Sequence, residues 1–114
     1  MTRSPKMASS IPDNVRIQLL STVERFNRDE LEAGRRFYKA RFAGNCCYLS
    51  RVDYGSEVPI CRLRSKKGAG GWEFAIFKWS TGSYDPDEWM FPGSDHVDGT
   101  VEGALKAGLE AYPA

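Results

Sequence analysis

The sequence has one histidine, three cysteines and no long apolar run, and each scarcity excludes a class of protein. Without a stretch of about eighteen apolar residues, we expect no transmembrane helix. Residues 1–10 include Arg3 and Lys6 but lack the hydrophobic core of a secretory signal. We therefore predict a cytoplasmic protein that does not enter a membrane.

The three cysteines, Cys46, Cys47 and Cys61, do not suit a disulfide framework, because their number is odd and two of them are adjacent. Neighbouring residues of a strand point to opposite faces, so Cys46 and Cys47 could share a zinc ion with Cys61 and His96 only across a bulge. No C-x-x-C pair is present. We expect reduced thiols, no bound metal and no other cofactor.

The single histidine, His96, lies in the run Ser94-Asp95-His96-Val97-Asp98. Residues this close in sequence cannot ordinarily turn onto one another as a catalytic triad requires, and no G-x-S-x-G motif surrounds Ser94. We therefore predict no catalytic residues and lean against an enzyme. The alternative left open is a small enzyme or metal-dependent protein that uses His96, Asp95 and Asp98.

The composition, 41% hydrophobic and 27% charged over 114 residues, is that of one globular domain. Residues 1–10 are predicted to be a disordered tail and residues 11–114 a single domain. Apolar residues at helical spacing predict a helix near each end. The first stripe is Val15, Leu19, Leu20, Val23 and Phe26, in a helix finishing near Glu32; the second is Val101, Ala104, Leu105, Leu109 and Tyr112, in a helix capped by Thr100.

Alternation of side chains predicts the strands between these helices, at residues 35–42, 46–53, 60–64 and 72–79, with a short one around Tyr84. Gly55 and Pro59 are expected to bracket a loop, and residues 85–88 to open a helical turn. The strand at 72–79 is apolar on both sides, which is typical of a central, doubly covered strand. The predicted fold class is α+β. The elements follow the order α-β-β-β-β-α along the chain, and the strands form a mainly antiparallel sheet of four to five strands.

Charge is unevenly distributed along the chain. Residues 35–67 contain nine Lys or Arg and two acidic residues, whereas residues 68–114 contain two Lys and eight acidic residues. Such asymmetry is typical either of a segment that binds an anionic partner or of two segments that attract each other in the folded domain. The sequence leaves both interpretations open.

Alternation would collect most of the cations of residues 35–67 on one sheet face. The predicted binding residues are Arg35, Phe37, Lys39, Arg41, Arg62 and Arg64, continued by Lys66 and Lys67. Phosphates attract such cations and bases stack on aromatic rings, so this combination suits nucleic acid. An acidic protein would use the same charges. We therefore predict a small binding or accessory module for nucleic acid or another acidic partner.

A second alternative starts from the aromatic side chains of the C-terminal half, which are Trp72, Trp79, Tyr84, Trp89 and Phe91. The last predicted helix is rich in Gly and Ala and is too small to cover all of these rings. Exposed apolar patches and sheet edges are typical of protein interfaces. The alternative is therefore a homodimeric interaction domain.

The aromatic strand that starts at Trp72, the turn Phe91-Pro92-Gly93 and residues 98–105 together resemble the strand-to-helix end of HicB-type antitoxins. The resemblance covers about the last third of the chain. The chain departs from that family in its tryptophans, in the segment before Trp72 and in having no added DNA-binding domain. The resemblance implies a strand followed by a capped helix, and we transfer no function from it.

Overall fold

The computed structural model describes residues 11–32, 34–66 and 70–113. Its elements are α1 (Asp13–Glu30), β1 (Arg36–Ala43), β2 (Cys46–Asp53), β3 (Ser56–Ser65), β4 (Trp72–Lys78), β5 (Ser83–Asp85), a short 3-10 turn (Ser94–His96) and α2 (Val101–Ala111). The strands form one antiparallel sheet in the order β1-β2-β3-β4-β5. This confirms the predicted α+β fold class. The predicted tail, residues 1–10, lies outside the described residues.

Both helices pack on one face of the sheet, α1 against β1 and α2 against β3 and β4, and they also contact each other. The core between them contains Leu19, Val23 and Phe26 from α1, Tyr38, Cys47, Leu49, Leu63 and Phe74 from the sheet, and Val101, Ala104 and Leu105 from α2. Leu20, predicted to widen the buried stripe of α1, is instead 45% exposed. None of the helices in the described ranges is long and apolar enough to cross a membrane.

The connection from β2 to β3 is shorter than predicted. Tyr54 and Gly55 both have positive φ, at 52° and 91°, and two-residue hairpin turns favour such dihedrals. The loop predicted between Gly55 and Pro59 was therefore wrong, because β3 begins at Ser56. Pro59 lies within the strand opposite Ser50, where the register shifts. A bulge of this kind accommodates a residue that has no N–H to donate.

Two further expectations about strands and turns were only partly correct. The helical turn predicted to open at residues 85–88 does not extend into a helix. Asp85 Oδ1 accepts from the Asp87 N–H at 2.9 Å, as a cap would, and the Glu88 N–H donates to the Asp85 carbonyl at 3.4 Å, but the chain makes only this one turn. The strand predicted to be central and covered on both faces, β4, is an interior strand paired with β3 and β5, but helices cover only one of its faces. The outward Phe77 is shielded by its neighbours Tyr84 and Trp79 rather than by a second layer of helices.

The exposed edge strand β1 is bonded along part of its length by a side chain of α1. Asn27 Oδ1 accepts from the Tyr38 N–H at 2.7 Å, and Asn27 Nδ2 donates to the Tyr38 carbonyl at 3.1 Å. The Asn27 carboxamide thus makes the two bonds that another strand would make at Tyr38. Blocking an edge in this way disfavours pairing with another chain there.

A buried arginine holds α2 to the sheet. The Arg51 side chain is only 1% exposed, and its Nε donates to both carboxylate oxygens of Asp53 at 2.9 Å. Its Nη1 donates to the Gly108 carbonyl at 3.2 Å, and its Nη2 donates to the Tyr112 carbonyl. Asp53 also accepts from Arg36 Nε at 3.0 Å. Arg51 therefore contributes to the core and not to a cationic surface.

The small residues of α2 allow it to approach the sheet closely. The Tyr38 hydroxyl donates to the Leu105 carbonyl at 2.7 Å, and Gly108 packs beside the same hydroxyl. A Cβ atom at position 108 would overlap the Tyr38 hydroxyl and a methyl group of Ile60. Gly108 is therefore required by packing, since its helical position does not need a glycine dihedral.

We predict that Gly108→Ala lowers the free energy of unfolding by about 1–3 kcal/mol through overpacking, as measured by urea denaturation. The exposed Lys106→Ala on the same helix is the matched control and should stay within about 0.5 kcal/mol of the parent. Alanine is the better helix former by roughly 1 kcal/mol. A more stable Gly108→Ala variant would therefore show that the close contact with Tyr38 and Ile60 does not exist.

Candidate nucleic-acid interface

The sheet has an outer face, opposite the helices, on which several predicted binding residues meet. The cross-strand register aligns Arg41 with Tyr48, Tyr48 with Arg62, and Arg62 with Ala75. Side chains that are directly opposite each other in neighbouring strands lie on the same face. The outer face is defined here by Phe37, Lys39, Arg41, Tyr48, Ser50, Glu57, Arg62, Arg64, Glu73, Phe77 and Tyr84. Neither helix covers it.

The eight predicted binding residues do not all reach this face. Phe37, Lys39, Arg41, Arg62 and Arg64 lie on it. Arg35 is an exposed residue that precedes β1, which begins at Arg36, so the predicted strand start was one residue early. Lys66 is exposed beyond the end of β3, where its N–H donates to the Gly71 carbonyl at 3.1 Å. Lys67 lies outside the described residues.

Arg41 and Tyr48 form the centre of the outer face. The Arg41 guanidinium lies over the Tyr48 ring, 4.7 Å from the ring centroid. Attraction between a cation and the ring face stabilises this arrangement. Within residues 11–32, 34–66 and 70–113, neither Arg41 nor Arg62 forms an ion pair. The Nε atom of Arg62 is enclosed and has no hydrogen-bond partner in the same ranges.

Lys39 and Arg64 differ from these two arginines because each contacts a carboxylate. Lys39 Nζ lies 3.4 Å from Glu57 Oε1, and Arg64 pairs with Glu73. The side chains of both pairs are about half exposed. Exposed ion pairs are typically worth less than about 1 kcal/mol and are screened by salt. A phosphate can therefore compete for either cation.

A row of aromatic rings crosses the outer face beside Arg41. Tyr48 and Tyr84 have ring centroids 5.3 Å apart, Tyr84 and Phe77 5.1 Å, and Phe77 and Trp79 5.2 Å. Tyr48 was not predicted as a binding residue, and Tyr84 and Trp79 were predicted to lie on a separate surface. The Gly44-Asn45 turn could have identified Tyr48 from the sequence. A two-residue hairpin turn fixes the register of its two strands and puts Tyr48 opposite Arg41.

A cleft of about 520 Å³ opens at this point of the outer face. Its lining includes Lys39, Arg41, Tyr48, Ser50, Glu57 and Tyr84. Glu57 Oε2 accepts from the Ser50 hydroxyl at 2.7 Å. This hydrogen bond and the nearby Lys39 ammonium lower the pKa of Glu57, so the carboxylate stays ionised at neutral pH. The cleft therefore combines cations, rings and one negative acceptor.

The three residues of the predicted enzyme alternative do not form one cluster. Asp98 Oδ1 accepts from the Thr100 hydroxyl at 2.6 Å and from the Thr100 N–H at 3.1 Å. These hydrogen bonds lower the pKa of Asp98 and hold its carboxylate beside the Thr100 cap at the start of α2. His96 Nε2 lies 2.5 Å from Glu110 Oε2, and Asp95 has an oxygen within 4.8 Å of both groups. Among the described residues, this is the only group of His, Cys and carboxylate side chains spaced for a metal ion.

The cysteines are not brought to His96. Cys47 and Cys61 are buried in the core, while Cys46 is half-buried on the outer side of β2 opposite Arg64. All three are free thiols. Burial raises the pKa of Cys47 to about 12 and also raises the pKa of Cys61. Both core thiols are therefore protonated and unreactive at neutral pH.

The aromatic residues predicted to form a dimer surface are divided in the structure. Trp72 is buried, and the Phe91 ring stacks on Phe74 at 5.8 Å. Trp79 and Trp89 are 59% and 48% exposed, and Met90, next to Trp89, is 92% exposed. Tyr84 belongs to the aromatic row of the outer face. Self-association through the exposed indoles stays a prediction.

The chain was compared with protein-family models, curated proteins and solved structures, and none of them matches it. The outer face presents arginines without carboxylate partners in the described ranges, beside aromatic rings that contact one another edge to face. Such an arrangement can attract phosphates through charge and hold planar groups through stacking.

Proposed function

We propose that this protein is a binding module that takes single-stranded nucleic acid on the outer face of its sheet. The observation that carries the proposal is the exposed Arg41 guanidinium that lies over the Tyr48 ring, 4.7 Å from the ring centroid, on a face that neither helix covers. Bases of a single strand can splay out and stack on rings or on arginine planes. In a duplex the base faces are hidden, so rings on a sheet favour a single strand.

The pattern of ion pairs also supports an anionic partner. Among the described residues, Arg64–Glu73 is the one ion pair that joins the basic segment, residues 35–67, to the acidic segment that follows it. Lys78 pairs with Asp85 and Glu88 inside the acidic segment. Lys39 and Arg51 pair with carboxylates inside the basic one. Attraction between the two segments therefore explains little of the charge asymmetry, which leaves binding of an anion as the stronger interpretation.

An acidic protein would be attracted by the same charges but has no bases to stack. Glutamate and aspartate side chains would contact Arg41 and Arg62 and would make little use of the Tyr48, Tyr84 and Phe77 rings. The aromatic row is therefore the feature that favours nucleic acid over an acidic peptide.

We predict that Arg41→Gln and Arg62→Gln each weaken binding to a fluorescent oligothymidine and reduce its salt dependence. Each lost phosphate contact should lower the slope of log K against log salt by about 0.7. The measurement is fluorescence anisotropy over a series of salt concentrations. Arg28→Gln, which removes an exposed cation of α1, is the charge-matched control and should leave the slope unchanged.

Two results would contradict the proposal. One is affinity for oligothymidine weaker than roughly 10⁻⁴ M at low salt, since that is the weak limit of ordinary non-specific binding at physiological salt. The other is an equal loss of affinity in Arg28→Gln, which would assign the effect to net charge rather than to the outer face.

We predict that Tyr48→Ala weakens oligothymidine binding roughly fivefold to hundredfold. The Tyr48 ring supports the Arg41 guanidinium on which a base stacks, and stacking of one base is worth about 1–3 kcal/mol. Tyr48→Phe keeps the ring and should bind like the parent. Poly-glutamate provides the comparison. If poly-glutamate binds as tightly as oligothymidine, and Tyr48→Ala affects neither, the partner is an acidic protein and the nucleic-acid proposal is wrong.

A further inference from the structure

Glu57 is unexpected in a surface that attracts phosphates. Its carboxylate lies in the same cleft as Arg41 and Tyr48, and a negative charge there opposes a phosphate. The hydrogen bonds that the Glu57 carboxylate accepts leave part of its acceptor capacity unused. A carboxylate has about four lone-pair positions, and Glu57 accepts one bond of 2.7 Å from Ser50 and one long bond of 3.4 Å from Lys39. Both oxygens retain the capacity to accept.

An ionised carboxylate beside a stacking surface can read the edge of a base. It accepts hydrogen bonds and donates none, so it selects a base that presents N–H groups side by side. Guanine has two adjacent donors, N1–H and the N2 amino group, on its Watson–Crick edge. Adenine and cytosine place one amino group beside an acceptor nitrogen, and thymine places one N–H between two carbonyl oxygens. Guanine therefore fits the two Glu57 oxygens best.

We propose that the cleft formed by Arg41, Tyr48, Ser50, Glu57 and Tyr84 is a guanine-selective subsite. The base stacks on the plane of the Arg41 guanidinium, which itself lies on Tyr48. The Glu57 carboxylate accepts the N1–H and N2–H donors of the base. The Ser50 hydroxyl donates to Glu57 Oε2 and orients the carboxylate. This subsite rests on the proposed binding of nucleic acid by the outer face and adds selectivity to it.

The experiment uses short oligothymidines that carry one central dG, dI, dA or dC, with binding to the full chain measured by fluorescence anisotropy. A bidentate base contact discriminates by about 1–3 kcal/mol, so the strand with dG should bind roughly fivefold to hundredfold more tightly than oligothymidine. The strand with dI lacks the N2 amino group and should lose most of this gain. Equal affinities for all the strands would overturn the subsite.

Glu57→Gln is the decisive variant. It replaces one acceptor oxygen by a donor, so the preference for dG should disappear while affinity for oligothymidine is kept or increased. Glu57 is half exposed near a turn, and far-ultraviolet circular dichroism checks that the variant folds. Glu73→Gln removes another carboxylate of the outer face and should keep the preference for dG. A preference that survives Glu57→Gln would show that another group reads the base.

A free guanine nucleotide would offer the same base, and GMP distinguishes the two sources. GMP that competes only weakly with the dG strand supports a subsite within a strand-binding surface. Binding of GMP that is lost in Glu57→Gln, without binding of any oligonucleotide, would overturn the proposed function and reassign the cleft to a free nucleotide. Binding of neither would overturn both proposals.

Discussion

The buried contact between Arg51 and Asp53 is the interaction on which the arrangement of the whole domain depends. Arg51 donates to carbonyls at the C-terminal end of α2, where the aligned peptide dipoles leave negative charge. Asp53 neutralises the arginine, and Arg36 donates to the same carboxylate. Removing one partner of a buried pair leaves an uncompensated charge, which is commonly worth about 3–5 kcal/mol. Strand β2 and helix α2 are therefore held in one relative position.

The same register that buries Arg51 also builds the outer face. In β2, Cys47, Leu49 and Arg51 point to the helices, so Tyr48 and Ser50 must point away from them. A slip by one residue would put Arg51 in solvent and Tyr48 in the core. The anchor of α2 and the ring beneath the Arg41 guanidinium are thus consequences of one strand register.

The sequence predicted the order of elements, the threonine cap of α2 and the side of β1 that faces solvent, because these follow from local periodicity. The Thr100 hydroxyl accepts from the Gly103 N–H at 3.0 Å, as its position before the apolar stripe indicated. Arg51 was missed because charge normally indicates a surface position, and only tertiary contacts supply the carbonyls that satisfy it. Pro59 was assigned to a loop for a similar reason, since the bulge that accommodates it depends on the partner strand. Within the candidate site, the cations were predicted from the sequence. Tyr48 and Glu57 were not, because their positions beside those cations depend on the pairing register of the strands.

In the proposed guanine subsite, charge and selectivity would be coupled through Lys39. Its contact with Glu57 is long, at 3.4 Å, and half exposed, so it stabilises the free protein little. A base that engages the Glu57 oxygens would weaken that contact and leave the ammonium group more available to a neighbouring phosphate. A carboxylate that opposes phosphates in the free protein would then favour them once the correct base is in place. On the proposed binding of guanine, the acidic residue and the cations around it would act as parts of one site rather than as competitors within it.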